Sequence, residues 1–146
     1  MTRFELLTQW IEGFFNEDFI IESASNDASF RRYYRIKKNK KSLIVMDAPP
    51  EKEDISSFIA IAKKLHQDDI RVPNLYEINS DLGFILMEDF GRTTYGDDLN
   101  LKNSNDLYKN ALSTLLTIQK NCIYDDIPSY TSELLLNEMF LFEEWY

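Results

Sequence analysis

The 146-residue sequence contains few cysteines, histidines and glycines, and each scarcity excludes a class of protein. One cysteine, Cys122, and one histidine, His66, cannot form a disulfide framework or a metal cluster of Cys and His ligands. The sequence contains neither a Gly-x-Gly-x-x-Gly fingerprint nor a Walker lysine motif. These two common nucleotide-binding motifs are therefore excluded.

Long apolar runs are also missing. No stretch approaches the roughly 20 apolar residues of a transmembrane helix. The first seven residues lack the positive segment followed by an apolar segment that a secretory signal contains. We expect a soluble, non-secreted protein of the cytoplasm with no membrane partner.

Positive charge is in deficit, since the formal net charge is -9. An acidic chain disfavours general binding to nucleic acid. The basic residues nevertheless cluster around two tyrosines, in a segment that contains Arg31, Arg32, Tyr33, Tyr34, Arg35, Lys37, Lys38, Lys40 and Lys41. Such a segment either binds single-stranded nucleic acid by phosphate contact and stacking or forms a solvated hairpin. The hairpin is favoured, so nucleic acid is not an expected partner.

Hydrophobic residues make up 44% of the chain, enough for one buried core. A capping box at Thr2 and Glu5 and helical spacing predict a first helix that continues to Phe15. Strands are predicted at residues 19–23, 30–37, 42–47, 75–78 and 84–87, and helices at residues 55–66, at 104–121 and from near 135 to the end. Five strands with one helix after the third indicate an α+β fold. We divide the chain into residues 1–91 and the helical residues 92–146.

A polar turn at residues 25–29 precedes the basic strand. Its backbone amides, together with the guanidinium groups of Arg31 and Arg32, could supply fixed donors and positive charge to phosphate oxygens. An exposed hairpin with a solvated basic edge is the simpler interpretation of the same residues.

Four segments carry a resemblance to a known family. They are residues 26–35 (Asn-Asp-Ala-Ser-Phe-Arg-Arg-Tyr-Tyr-Arg), 45–51 (Val-Met-Asp-Ala-Pro-Pro-Glu), 84–91 (Phe-Ile-Leu-Met-Glu-Asp-Phe-Gly) and 141–146 (Leu-Phe-Glu-Glu-Trp-Tyr). On these segments the chain resembles the N-terminal part of the aminoglycoside phosphotransferase and choline kinase-like superfamily. It is most similar to the bacterial amino-sugar kinases of cell-wall recycling. The resemblance implies a protein-kinase-like N-lobe at residues 1–91, followed by the first helices of a C-lobe.

The resemblance also implies an ATP- and Mg²⁺-dependent kinase that phosphorylates the anomeric hydroxyl of N-acetylmuramate or N-acetylglucosamine. It implies three groups of ATP-binding residues: a phosphate loop of Ser25, Asn26, Asp27, Ala28, Ser29, Phe30, Arg31 and Arg32; an adenine pocket at Ile44 and Val45; and a connector of Met87, Glu88, Asp89 and Phe90. The carbonyl of Glu88 and the amide of Phe90 would meet the adenine edge. The catalytic and Mg²⁺-binding side chains are expected beyond Tyr146, so we expect no turnover from this chain alone.

The third strand departs from the family pattern. In many relatives it carries a Lys or Arg that reaches the phosphates. The corresponding place here holds Met46 and Asp47. The residue that replaces this cation is left open.

A second set of residues imitates a kinase catalytic loop and its metal-binding motif. In order, these residues are His66, Asp68, Asn74, Asp89, Phe90 and Gly91. The residue at the Asn spacing after Asp68 is Pro73, so the spacing argues against a catalytic loop. We interpret His66 as a helix-end residue, Asp68 and Asp69 as a solvated turn, and Asp89 as part of the connector.

Two other functions remain as alternatives. One is a non-catalytic nucleotide-binding or protein-interaction module, and the other is the single-stranded nucleic-acid binding described above. The final helix carries apolar residues around much of its circumference: Leu135, Leu136, Met139, Phe140 and Phe142. We expect it to expose apolar surface and to favour self-association.

Overall fold

The computed structural model describes residues 1–15, 18–26, 29–127 and 129–145. In chain order its elements are α1 (Arg3–Glu12), β1 (Ile20–Asn26), β2 (Arg32–Lys38), β3 (Lys41–Asp47), α2 (Ser56–Gln67), β4 (Leu75–Asn79), β5 (Phe84–Glu88), α3 (Tyr95–Asp98), α4 (Ser104–Asn121) and α5 (Ser132–Trp145). The strands form one antiparallel sheet in the order β1-β2-β3-β5-β4. The predicted five-stranded α+β fold with a helix after the third strand is confirmed.

The helices α1 and α2 cover opposite faces of the sheet, which we call the α1 face and the α2 face. The core of the α1 face consists of Leu7, Ile11, Ile36, Val45, Phe84 and Leu86. The core of the α2 face consists of Met46, Ala48, Ile55, Ile85 and Met87. Because both faces of β3 and β5 are covered, these strands carry continuous apolar runs instead of an alternating pattern.

Side-chain hydrogen bonds lie at the start of both helices, but only α1 is capped by its N-cap residue. The hydroxyl of Thr2 accepts from the amide of Glu5, whose carboxylate accepts from the amide of Thr2, which is the predicted capping box. At α2, the carboxylate of Asp54 accepts from the amide and the hydroxyl of Ser56 at 2.8 and 2.6 Å. These hydrogen bonds lower the pKa of Asp54.

The turn between β4 and β5 packs against the end of β3. Gly83 has φ +70°, and a Cβ there would lie 1.8 Å from the carbonyl oxygen of Ala48. The amide of Ala48 donates to the carbonyl of Gly83 at 2.9 Å. Only glycine allows this close approach, which holds the β4–β5 turn beside the chain that leads into α2.

The first two residues of the predicted polar turn belong to a strand. Ser25 and Asn26 continue β1, where they pair with Tyr33 and Arg32 of β2 after an irregularity in register at Ser23. Sheet pairing therefore overrides the local turn preference of these polar residues. The strand β2 begins at Arg32, two residues later than predicted.

The part of the chain after β5 is helical, and α4 has the predicted bounds. The short helix α3, capped by Thr94, was not predicted. Many apolar side chains of α4 and α5 are exposed, including Leu112, Leu115, Leu135, Met139 and Phe142. The division of the chain at residue 91 falls between β5 and α3 and stays a prediction. Within the described ranges, no helix is long and apolar enough to cross a membrane.

Candidate functional site

The α2 face brings together residues of β2, β3 and β5. Strand pairing sets Arg35 opposite Ile44, and Ile44 opposite Met87. Directly paired residues share a face, whereas neighbours along a strand alternate. Val45 is fully buried against α1 on the other face, so Ile44 and Val45 do not share a face, and the role of Val45 in an adenine pocket stays a prediction. The role of Ile44 stays a prediction.

The end of β3 offers no cation on the α2 face. Met46 is fully buried there in the core against α2. Asp47 is paired with Arg3 of α1, whose Nε donates to the Asp47 carboxylate at 3.1 Å. The Arg3 guanidinium also donates to the carbonyl of Leu82 at 2.7 Å. An acid and a methionine therefore stand where many kinases place the phosphate-binding lysine.

Arg31, immediately before β2, lies beside α2 and the chain that leads into it. Its Nε donates to the carboxylate of Glu53 at 3.1 Å. Its side chain lines a cavity of about 280 Å³ together with α2 residues such as Phe58 and Ala62. Arg32 is exposed and pairs with Asp47 in the sheet, so Arg31 is the one of the two arginines that faces α2.

The segment around Arg31 is attached to the chain that leads into α2. The amide of Phe30 donates to the other oxygen of Glu53 at 3.3 Å, and Nζ of Lys52 lies 4.3 Å from the centre of the Phe30 ring. The hydroxyl of Ser29 accepts from the amide of Arg31 at 3.1 Å. Two other predicted phosphate-loop residues, Asp27 and Ala28, lie outside the described residues.

At the end of β5, the side chain of Glu88 anchors the connector to residues 71–74. Its carboxylate accepts from Arg71 and from the side-chain amide of Asn74, with distances of 2.9 Å and 2.8 Å. The hydrogen bonds from Arg71, followed by the backbone of Asn74, lower the pKa of Glu88 to about 2. The Arg71 guanidinium also lies 4.5 Å from the centre of the exposed Phe90 ring. The Glu88 side chain is therefore engaged in holding the connector.

Asp89 ties the connector to β2 by a bidentate ion pair. Arg35 Nε and Nη2 donate to its two oxygens at 2.6 and 3.0 Å, and Nη2 also donates to the carbonyl of Gly91 at 2.9 Å. The Gly91 amide donates back to Asp89 at 2.8 Å, in a turn where Gly91 has φ +91°. Arg35 holds the pKa of Asp89 well below its usual range, and Asp89 in turn raises the pKa of Arg35.

The residues that imitate a catalytic loop are committed to other contacts. His66 is exposed in the last turn of α2, and Asp68 ends that helix and accepts a hydrogen bond from the hydroxyl of Tyr124. Asp89 is held by Arg35. Among the described residues, no group of three or more His, Cys, Asp or Glu side chains could hold a metal ion. Asp68 is half-buried against Tyr124, which corrects its interpretation as a solvated turn residue.

The basic segment does not form a continuous charged stripe. Arg31, Arg35 and Lys37 are each paired with an acid, at Glu53, Asp89 and Glu22 respectively. Lys38, Lys40 and Lys41 border a different cavity, of about 880 Å³, which also contacts Ile36 and Leu43 of the α1 face and Glu88 and Asp89 of the connector. Acids neutralise three of the basic side chains, and the lysines lie at a different place from the arginines. Both facts weaken the case for nucleic-acid binding.

Sequence reasoning named Arg31 and Asp89 as candidate site residues but did not predict their pairing with Glu53 and Arg35. Alternation along β2 would place Arg31 and Arg35 on one face. The matching acids, Glu53 and Asp89, come from a loop and a connector that no local pattern relates to β2.

Comparison with known proteins identifies the family of the chain. Residues 20–146 match the model of the phosphotransferase enzyme family known as APH. The chain belongs to this family. It is similar to N-acetylmuramate/N-acetylglucosamine kinases from Pseudomonas aeruginosa, with 37% identity over 99% of the chain, and Pseudomonas putida, with 36% identity over 99%. A kinase of the same name from Neisseria meningitidis serogroup B is 32% identical over all of it. The chain spans about half the length of these relatives, namely 46%, 46% and 45%.

Proposed function

We propose that this chain provides the nucleotide-binding part of an ATP-dependent phosphotransferase that acts on an amino-sugar hydroxyl. The observation that carries the proposal is the α2 face, which has Arg31 at one end and the fixed connector of Glu88 to Phe90 at the other. The names of the relatives support an amino sugar of the N-acetylmuramate or N-acetylglucosamine type as the acceptor. The cytoplasm is the proposed location.

The proposed ATP orientation sets the adenine against the connector and the phosphates toward Arg31. Glu88 and Asp89 turn their carboxylates to Arg71 and Arg35, so backbone groups of the connector are the groups we assign to adenine. A guanidinium is suited to phosphate because it supplies several N–H donors in one plane. Mg²⁺ would neutralise the moving phosphoryl group. The described residues contain no cluster to bind it, so we assign it no ligand here.

Three calorimetric titrations of the 146-residue chain test this proposal, with ATP, N-acetylmuramate and a single-stranded oligonucleotide as ligands. We expect ATP to bind and the oligonucleotide not to bind. A chain that binds the oligonucleotide but does not bind ATP would favour the nucleic-acid alternative. A chain that binds none of the three would favour a protein-interaction module, which the exposed apolar residues of α5 would also suit.

A turnover assay tests the assignment of the catalytic groups. Kinases typically turn over at about 1–100 s⁻¹. We expect the chain alone to phosphorylate amino sugars far more slowly than this, because the acceleration depends on the positioning of all parts of the site. Turnover in that range, abolished by Asp68→Asn, would contradict this assignment and make the imitation catalytic loop the active site.

A further inference from the structure

We infer that Arg31 and Glu53 replace the strand-lysine and helix-glutamate pair of other kinases, with Arg31 as the phosphate-binding cation and Glu53 as its positioning residue. This inference rests on the proposed function, because it assigns residues of this chain to the ATP phosphates. In other kinases the cation lies on the third strand and the acid lies on the helix. Here the cation lies in the segment before β2, and the acid lies in the chain that leads into α2.

The strand β3 offers no alternative phosphate-binding cation on the α2 face. The α2 face of that strand ends in the fully buried Met46, and Asp47 is engaged by Arg3 on the opposite face. A phosphate on the α2 face therefore meets no cation from β3. Arg35, on the same face, is only 9% exposed at its side chain and already binds Asp89 through two nitrogens.

The guanidinium of Arg31 is both accessible and held in place. Its side chain is 28% exposed, enough to reach a ligand, and its described hydrogen bond to Glu53 uses Nε. Bidentate recognition of phosphate requires two N–H groups of the guanidinium fork. The carboxylate of Glu53 restrains the guanidinium through Nε, so we assign the two Nη groups to the phosphate.

Glu53 is itself held by hydrogen bonds from the segment before β2. Its carboxylate is 15% exposed and accepts from both Arg31 and the amide of Phe30, while Lys52 packs over the Phe30 ring. A carboxylate with two fixed donors holds the segment before β2 at a set distance from α2. Glu53 would thus act through Arg31, without contact to the nucleotide.

The test measures ATP and adenosine affinities of the chain by calorimetry, for the wild type and for variants at these positions. Arg31→Ala should weaken ATP by about 10- to 150-fold, the range for loss of a charge-assisted hydrogen bond, and should leave adenosine nearly unchanged. The matched control is Arg32→Ala, which removes the same charge from the neighbouring, exposed position and should have a much smaller effect.

Glu53 is tested by comparing Glu53→Ala with Glu53→Gln. Both variants remove the negative charge, which by itself favours ATP, but only Gln keeps an oxygen that accepts from Arg31. Glu53→Ala should therefore bind ATP more weakly than Glu53→Gln. In an Arg31→Ala background the difference between the two variants should become smaller, because the part of it that passes through Arg31 is lost. A difference of unchanged size would show that Glu53 acts through the amide of Phe30 and would overturn its role as the positioning residue of Arg31.

An exchange of the pair separates a phosphate role from a purely structural one. Arg31→Glu combined with Glu53→Arg restores opposite charges but moves the cation. Thermal stability should recover relative to Arg31→Glu alone, whereas the preference for ATP over adenosine should remain lost. Recovery of that preference would overturn the assignment of Arg31.

Failure of this inference differs from failure of the proposed function. If the wild-type chain does not bind ATP, the proposed function fails and the inference fails with it. If the wild type binds ATP but Arg31→Ala and Arg32→Ala lose affinity equally, or neither loses any, only the Arg31–Glu53 assignment is wrong.

Discussion

The buried ion pair between Arg35 and Asp89 gives a quantitative stability prediction. Asp89→Ala leaves the Arg35 guanidinium without its carboxylate at a place where that side chain is 9% exposed. Removal of one partner from a buried ion pair costs about 3–5 kcal/mol. We expect about 3 kcal/mol, the lower end of that range, because the adjoining Phe90 and Gly91 are exposed.

Urea denaturation of the chain at pH 7 measures this loss. The control is Lys37→Ala, which removes a cation from the same strand but from an exposed pair with Glu22. Exposed ion pairs contribute little to stability, so the control should stay near the wild type. The double variant Arg35→Met with Asp89→Leu should be more stable than Asp89→Ala, because it leaves no unpaired buried charge. A loss for Asp89→Ala no larger than that of the control would refute the reasoning.

The same pair predicts a dependence of stability on pH. Arg35 lowers the pKa of Asp89 in the folded chain, so the unfolded chain binds its proton more readily. The contribution of Asp89 is therefore complete above the unfolded pKa of about 3.9 and decreases as the pH falls further toward the folded pKa. The difference in unfolding free energy between the wild type and Asp89→Asn should shrink below about pH 4. A difference that stays constant from about pH 7 to pH 3 would contradict the assigned pKa direction.

Three further predictions concern other parts of the chain. ATP should slow amide exchange from Glu88 to Phe90, measured by mass spectrometry, and Glu88→Ala should retain most ATP affinity if adenine meets the backbone; loss of binding without amide protection would contradict the connector assignment. Thr2→Ala should lower the free energy of unfolding by about 1 kcal/mol by removing the α1 cap, and an unchanged urea midpoint would show that the cap is dispensable. The exposed apolar surface of α5 should cause self-association, so Leu135→Lys with Met139→Lys should lower the mass measured by light scattering; a wild-type chain that is already monomeric would refute this.

Much of the fold follows from local patterns in the sequence. The capping box at Thr2 determines the start of α1, and the helical spacing of apolar residues gives the bounds of α4. The strands predicted at residues 42–47 and 84–87 are confirmed, and their continuous apolar runs are covered on both faces. The end of β1 was predicted less well, because Ser25 and Asn26 are local turn residues whose pairing partners lie on another strand.

The candidate site was less accessible to sequence reasoning. Its ion pairs join residues 22 positions apart, for Arg31 and Glu53, and 54 apart, for Arg35 and Asp89. Periodicity reports which face a residue occupies, but it does not report which acid from another element meets it there. For the same reason, adjacency in the sequence grouped Ile44 with Val45, although alternation along β3 separates them.

The two arginines of the α2 face also show why charge alone does not identify a phosphate ligand. Arg35 is buried and gives its nitrogens to Asp89 and to the carbonyl of Gly91, so its hydrogen bonds stabilise the connector. Arg31 is three times as exposed at its side chain, 28% against 9%, and its described bond to Glu53 uses Nε. A ligand phosphate would have to break the contacts of Arg35 but could add to those of Arg31. The structure thus separates a buried cation that fixes the connector from a more exposed cation that we propose as the phosphate ligand.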